Sequence, residues 1–101
     1  MADIENLPVA WTERAHSDSI TIKSYLAYHF TQREIENYYK LLGSFEKIVA
    51  IFPDLYPLTN KAKNIHRAVL SKQLSVFYQI TQEAVFIVAI LDNRMSNTKW
   101  P

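Results

Sequence analysis

The sequence predicts an α+β domain of order β-α-α-β-β-β, in which a helix hairpin packs on a small, mainly antiparallel sheet. Apolar residues recur at three- and four-residue intervals through two long segments between Glu13 and Phe52, the period of helices with one buried face. Three β-rich runs then follow across short polar breaks: Ile65 to Leu70, Leu74 to Ile80 and Ala84 to Leu91. Pro53 divides the halves, because proline disfavours helix for the residue before it and has no N–H to donate.

The elements follow in order. Residues 1–7 are expected to form a flexible tail, and residues 8–101 a single domain, a length that buries roughly 60–70% of its unfolded surface without metal or disulfide. Pro8 to Thr12 suits a short first strand, with Pro8 at its start where a missing N–H is tolerated. Ala15, Ser19, Ile22, Tyr25, Leu26 and His29 give the first helix, to about Phe30, a thin apolar face. Thr31-Gln32-Arg33-Glu34 fits a capping box, with the Thr31 hydroxyl and the Glu34 side chain each expected to serve the other's backbone N–H. The second helix carries a stronger stripe of Ile35, Tyr38, Leu42, Phe45, Val49 and Phe52, widened by Tyr39, Leu41 and Ile48. Gly43 inside it costs about 1 kcal/mol relative to alanine, which a close helix–helix contact would explain. Residues 54–64 read as a loop tucked in by Leu55, Tyr56 and Leu58. The last run is continuous in apolarity, so it is expected at the centre of the sheet.

Composition excludes several chemistries. Without cysteine there are no disulfides or thiolate metal sites, and one glycine allows no glycine-rich phosphate loop. His16, His29 and His66 share no metal-ligand spacing, so neither a metal nor a cofactor is implied. No apolar run reaches bilayer length and none near the start has a basic flank, which predicts a soluble, cytoplasmic protein with no membrane partner.

The net charge of +1 hides an asymmetry: residues 1–54 carry eight acidic side chains against five basic, and residues 55–101 six basic against two acidic. No acidic residue occurs from Leu55 through Gln82, so Lys61, Lys63, Arg67 and Lys72 either form a positive face for a partner or keep the sheet edges soluble. They are too scattered for a sequence-specific DNA binder. The candidate functional residues gather in this half: His66, Arg67, Lys72, Arg94, Lys99 and Trp100. His66 and Arg67 are adjacent in a strand and must point to opposite faces. Arg94 either emerges at the sheet end as a free cation whose loss barely affects stability, or pairs with Asp92 or a helix carboxylate. Trp100 is read as a plug holding down the tail, with an exposed partner contact as the alternative.

Residues 8–101 resemble the RelE/ParE superfamily of bacterial type II toxin–antitoxin toxins, also called plasmid stabilisation proteins. The likeness rests on Glu13-Arg14-Ala15, Ile22, Tyr25-Leu26, Phe52-Pro53, Ile65-His66-Arg67, Val76-Phe77-Tyr78-Gln79-Ile80 and the ending Ile90-Leu91-Asp92-Asn93-Arg94, in that order. It implies a growth-inhibiting toxin neutralised by a cognate antitoxin protein. RelE-like members of the family are metal-independent, ribosome-dependent messenger endoribonucleases. They typically carry an arginine where Ser75 stands here, while Arg94 and Trp100 match an arginine and an aromatic near their end. ParE-like members bind DNA gyrase, commonly have an uncharged residue at the Ser75 position, and end much like Leu91-Asp92-Asn93-Arg94. The resemblance therefore leans toward a gyrase-binding toxin that is not an enzyme, with Arg67, Lys72, Arg94, Lys99 and Trp100 as target-binding residues. The alternative is a ribonuclease using His66, Arg67 and Arg94. A non-toxic binding module of the same fold is the third reading.

Overall fold

Thr12 opens the first helix. Its hydroxyl accepts the Ala15 N–H at 3.2 Å and donates to the Ile87 carbonyl at 3.0 Å, so one side chain caps the helix and ties it to the sheet. The computed structural model describes residues 6–95 and 99–101. The tail expected over residues 1–7 lies outside the described residues as far as residue 5, whereas Leu7 belongs to the body: its N–H donates to the Ala50 carbonyl at 3.0 Å.

The elements are β1 (Val9–Trp11), α1 (Glu13–His29), α2 (Gln32–Ile51), β2 (Leu58–Asn60), β3 (Ile65–Val69), β4 (Leu74–Ile80) and β5 (Val85–Asp92). The sheet order is β1-β5-β4-β3-β2; β1 runs parallel to β5 and the other pairs are antiparallel. The α+β arrangement of a helix hairpin on a mainly antiparallel sheet is as predicted. Two details differ. Leu58–Asn60 is an edge strand in what reads from sequence as loop, and β4, not the last strand, is central. β5 is continuous in apolarity because it lies between β4 and β1 and is covered on its helix side.

Leu74, Val76 and Tyr78 of β4, with Val85, Ile87 and Ile90 of β5 and Ala68 of β3, face the helices. There they meet Ala15, Ile22 and Leu26 of α1 and Tyr38, Leu42, Phe45 and Val49 of α2. Phe77, Ile65, Ala89 and Leu91 point the other way and form a smaller cluster on the open face. A bulge between Phe77 and Tyr78 gives β5 one extra residue, Val88, and sharpens the twist there.

Four local expectations are corrected. The Thr31 hydroxyl makes no capping bond; the backbone carbonyl of Thr31 accepts the Glu34 N–H instead, and the Glu34 side chain is drawn to Arg94 at 3.6 Å. A Cβ on Gly43 would meet nothing within 4 Å, so no close helix contact requires the glycine. In the loop only Tyr56 tucks in, 5.8 Å from Phe45, while Leu55 and Leu58 are exposed. Finally, Tyr39, Ile48 and Phe52 of the expected α2 stripe are exposed, and with Ile51 and Leu55 they leave apolar side chains uncovered at and just past the C-terminal end of α2.

Two sheet faces divide the candidate residues

The register of β3 against β4 decides where each candidate side chain goes. Arg67 lies opposite Phe77, and both belong to the open face; His66 lies opposite Tyr78, and both belong to the helix face. His66 is buried, its ring stacked 4.9 Å from that of Tyr78, and its Nδ1 lies 2.7 Å from the Tyr56 carbonyl oxygen. Phe45, Tyr56, Tyr78 and His66 thus form one aromatic cluster, tilted and edge-on except for the stacked His66–Tyr78 pair. Burial pushes the Tyr78 hydroxyl up to about 12, and the hydroxyl donates to the Pro53 carbonyl at 2.7 Å.

Arg94 also lies on the helix side, at the far end of the sheet. Its Nε–H and Nη2–H donate to the two oxygens of Asp92, at 3.0 and 2.7 Å, and its own backbone N–H donates to Asp92 at 2.9 Å. Asp92 is 1% exposed. The guanidinium lies 4.8 Å from the centre of the Phe30 ring, and Tyr25 donates its hydroxyl to the Arg94 carbonyl at 2.9 Å. The Asp92 hydrogen bonds hold the Arg94 pKa above the ordinary arginine value. Arg94 is therefore a paired, structural cation and not the free one that its place after the last strand suggested. Nearby, Ser19 and Tyr38 hydroxyls meet at 2.8 Å, and burial raises Tyr38 to about 12.

Arg67 occupies the open face. Its Nε–H and Nη2–H donate to the Ser75 hydroxyl at 3.2 and 3.1 Å, a diagonal cross-strand contact two residues from its register partner Phe77. The guanidinium lies 4.6 Å from the Trp100 ring centre, and Trp100 packs 5.0 Å from Phe77. Trp100 thus holds the tail to the sheet as a plug would, yet it is 55% exposed. Arg14 of α1 donates to the Lys99 carbonyl and so fixes the residue before it. Lys72, in the β3–β4 turn, and Lys99 are both exposed. Among the described residues, no carboxylate pairs with Arg67.

The structure therefore brings Arg67, Ser75, Phe77 and Trp100 together, with Lys99 next in the tail, and sends His66 and Arg94 elsewhere. Sequence reasoning offered Asp92 as one partner for Arg94 without its burial, and it missed Asp18, whose carboxylate accepts the Ile90 N–H at 3.0 Å where β1 has already ended. A charged residue on the sheet-facing side of an amphipathic helix was the available signal for Asp18.

No family model and no curated protein matches the sequence. Solved structures do. A chain of the chromosomal ParDE TA system from P. aeruginosa aligns over 85% of this chain and 95% of its own, with a TM-score of 0.69 at 11% identity. YafQ from E. coli strain BL21(DE3) aligns over 87% of this chain and 94% of its own, with a TM-score of 0.51 at 14% identity. The E. coli DinJ-YafQ toxin-antitoxin complex contributes a chain aligned over 88% and 94%, with a TM-score of 0.50 at 13% identity. The fold is that of the RelE/ParE-like toxins.

Proposed function

We propose that this chain is the toxin of a type II toxin–antitoxin module, restrained by a small antitoxin protein and acting by binding DNA gyrase. The fold supports the class, and one observation carries the target: the three residues that a ribonuclease would use do not share a surface. General acid–base catalysis needs its groups within hydrogen-bond reach of one substrate. His66 is buried and stacked under the helices, Arg94 is neutralised by Asp92 on that same side, and Arg67 stands on the opposite face. That arrangement suits adhesion to a protein better than strand cleavage. The exposed apolar side chains at the C-terminal end of α2, Ile48, Ile51, Phe52 and Leu55, are the surface an amphipathic antitoxin segment would bury.

The test is expression of the chain with growth, DNA replication and protein synthesis followed separately, together with purified protein in gyrase supercoiling and reconstituted translation reactions. Loss of supercoiling with intact messenger RNA supports the proposal. Codon-positioned cleavage on ribosomes overturns it in favour of the metal-independent ribonuclease. One observation favours that second reading: Arg67 reaches Ser75 from the neighbouring strand, and so returns a cation to the spot where RelE-like enzymes carry an arginine. Co-expression with the adjacent reading frame tests the antitoxin, which should co-purify with the chain.

A further inference from the structure

The open face holds an arginine whose hydrogen bonds are only half used. A guanidinium carries five N–H donors in a rigid fork. Ser75, itself 2% exposed, occupies the Nε and Nη2 edge of Arg67 at 3.2 and 3.1 Å. Among the described residues no carboxylate meets the remaining Nη1/Nη2 end. Ser75 and the flanking rings, Trp100 at 4.6 Å and Phe77 at 6.0 Å, hold the guanidinium in one orientation, so little freedom remains to be lost on binding. Around it the surface is apolar: Val69 is 57% exposed, Trp100 55%, and Leu91 and Ala89 lie beneath. No acidic residue occurs in β3, β4 or the turn between them.

We propose that the Nη1/Nη2 end of Arg67 receives the carboxylate of an aspartate or glutamate side chain from a partner protein, presented between apolar residues that pack on Val69 and Trp100. The inference rests on reading the open face as the target-binding surface, and it names the chemistry of the contact. Charge complementarity fixes the sign of the partner group, since among the described residues Arg67 is met by no carboxylate. Its flanks favour a protein over a nucleic acid. A phosphate backbone is held by a row of cations, whereas one fixed arginine beside a tryptophan in an apolar surround is the composition of a protein–protein hot spot. The end-on pair of parallel N–H groups matches the two oxygens of a carboxylate.

The probes are a blocked heptapeptide of alternating valine and threonine with one central glutamate, its glutamine counterpart, and a single-stranded decamer of uridine. Each is titrated into the free wild-type chain while the Trp100 indole and Arg67 Nε signals are followed by nitrogen-15 NMR, with Trp100→Phe and Arg67→Lys assigning them. The glutamate peptide should shift both signals saturably, and the glutamine peptide should bind at least about tenfold more weakly, as loss of a charge-assisted pair requires. Ser75→Ala, which releases the guanidinium, should weaken the glutamate peptide about threefold or more and leave the glutamine peptide unchanged. Equal binding of the two peptides, absence of saturable shifts, or tighter binding of the uridine decamer at the same signals would each overturn the proposal. Gyrase is absent from this experiment, so failure here leaves the supercoiling result to stand or fall separately.

Discussion

Replacing Arg94 by alanine strands a carboxylate. Asp92, 1% exposed, would lose an Nε–H at 3.0 Å and an Nη2–H at 2.7 Å, and would keep only the backbone N–H at 2.9 Å. Charge-assisted hydrogen bonds contribute about 1.5–3 kcal/mol each, and an orphaned buried charge costs about 3–5 kcal/mol. Two features reduce that figure: the surviving backbone donor, and an Arg94 side chain that is 25% exposed, which lets water approach once it is gone. The Glu34 contact, at 3.6 Å with a 40% exposed partner, adds little. The expected loss is about 2–4 kcal/mol. In a domain of this size each kcal/mol moves the melting temperature by about 4–8 °C, so the midpoint should fall by roughly 10–25 °C. Because the pKa of Arg94 is raised above its unfolded value, its contribution is fully present below that value, and the deficit should be constant from pH 6 to 9. Urea and thermal unfolding measure the loss. The double variant Asp92→Asn, Arg94→Met should be less damaging than the sum of its parts, since no charge is left behind. A loss below about 0.5 kcal/mol, or strict additivity in the double variant, would refute the reasoning.

Gly43→Ala fills open space on a helix and should raise stability by about 0.5–1 kcal/mol in urea unfolding; any destabilisation would mean that the helix packs more closely than 4 Å there. Thr12→Ala should cost about 1–2 kcal/mol, because the hydroxyl both caps α1 and bonds Ile87, whereas Thr31→Ala should cost under about 0.5 kcal/mol despite its better-matched motif. Tyr38 and Tyr78 stay neutral in the fold to about 12 but ionise near 10.0 when unfolded, so their contribution is intact below pH 10 and is lost as pH rises toward 12. Alkaline unfolding followed by circular dichroism should show that steep loss, and Tyr38→Phe should blunt it.

Apolar periodicity located both helices and three strands to within a residue or two, because burial of those faces is what drives the fold. β2 escaped notice since Leu58-Thr59-Asn60 follows a proline and runs straight into turn residues; what makes it a strand is its partner β3, not its own composition. The same holds at the candidate site. Alternation placed His66 and Arg67 on opposite faces, but the guanidinium's destination depended on Ser75, a diagonal neighbour on another strand. Thr31 and Glu34 matched a capping pattern, yet the Thr31 hydroxyl makes no capping bond and the Glu34 carboxylate lies 3.6 Å from Arg94, sixty residues away in sequence. The burial of Asp92 was likewise decided by a partner two residues on, at a point where alternation alone predicts a sheet end open to solvent.

The parallel pairing of β1 with β5 sets Val9 against Val85 and Ala10 against Phe86, far apart in sequence. During synthesis β1 emerges well before β5, the strand it pairs with, and has none to join until β5 follows. The meander of β2 to β4 can form from local contacts, whereas closing the loop between β1 and β5 is the slow, non-local step. A chain interrupted before β5 would lack the strand that joins β1 to β4, and with it the Asp92–Arg94 pair. A nascent or truncated copy that lacks β5 therefore cannot present the assembled open face to any target.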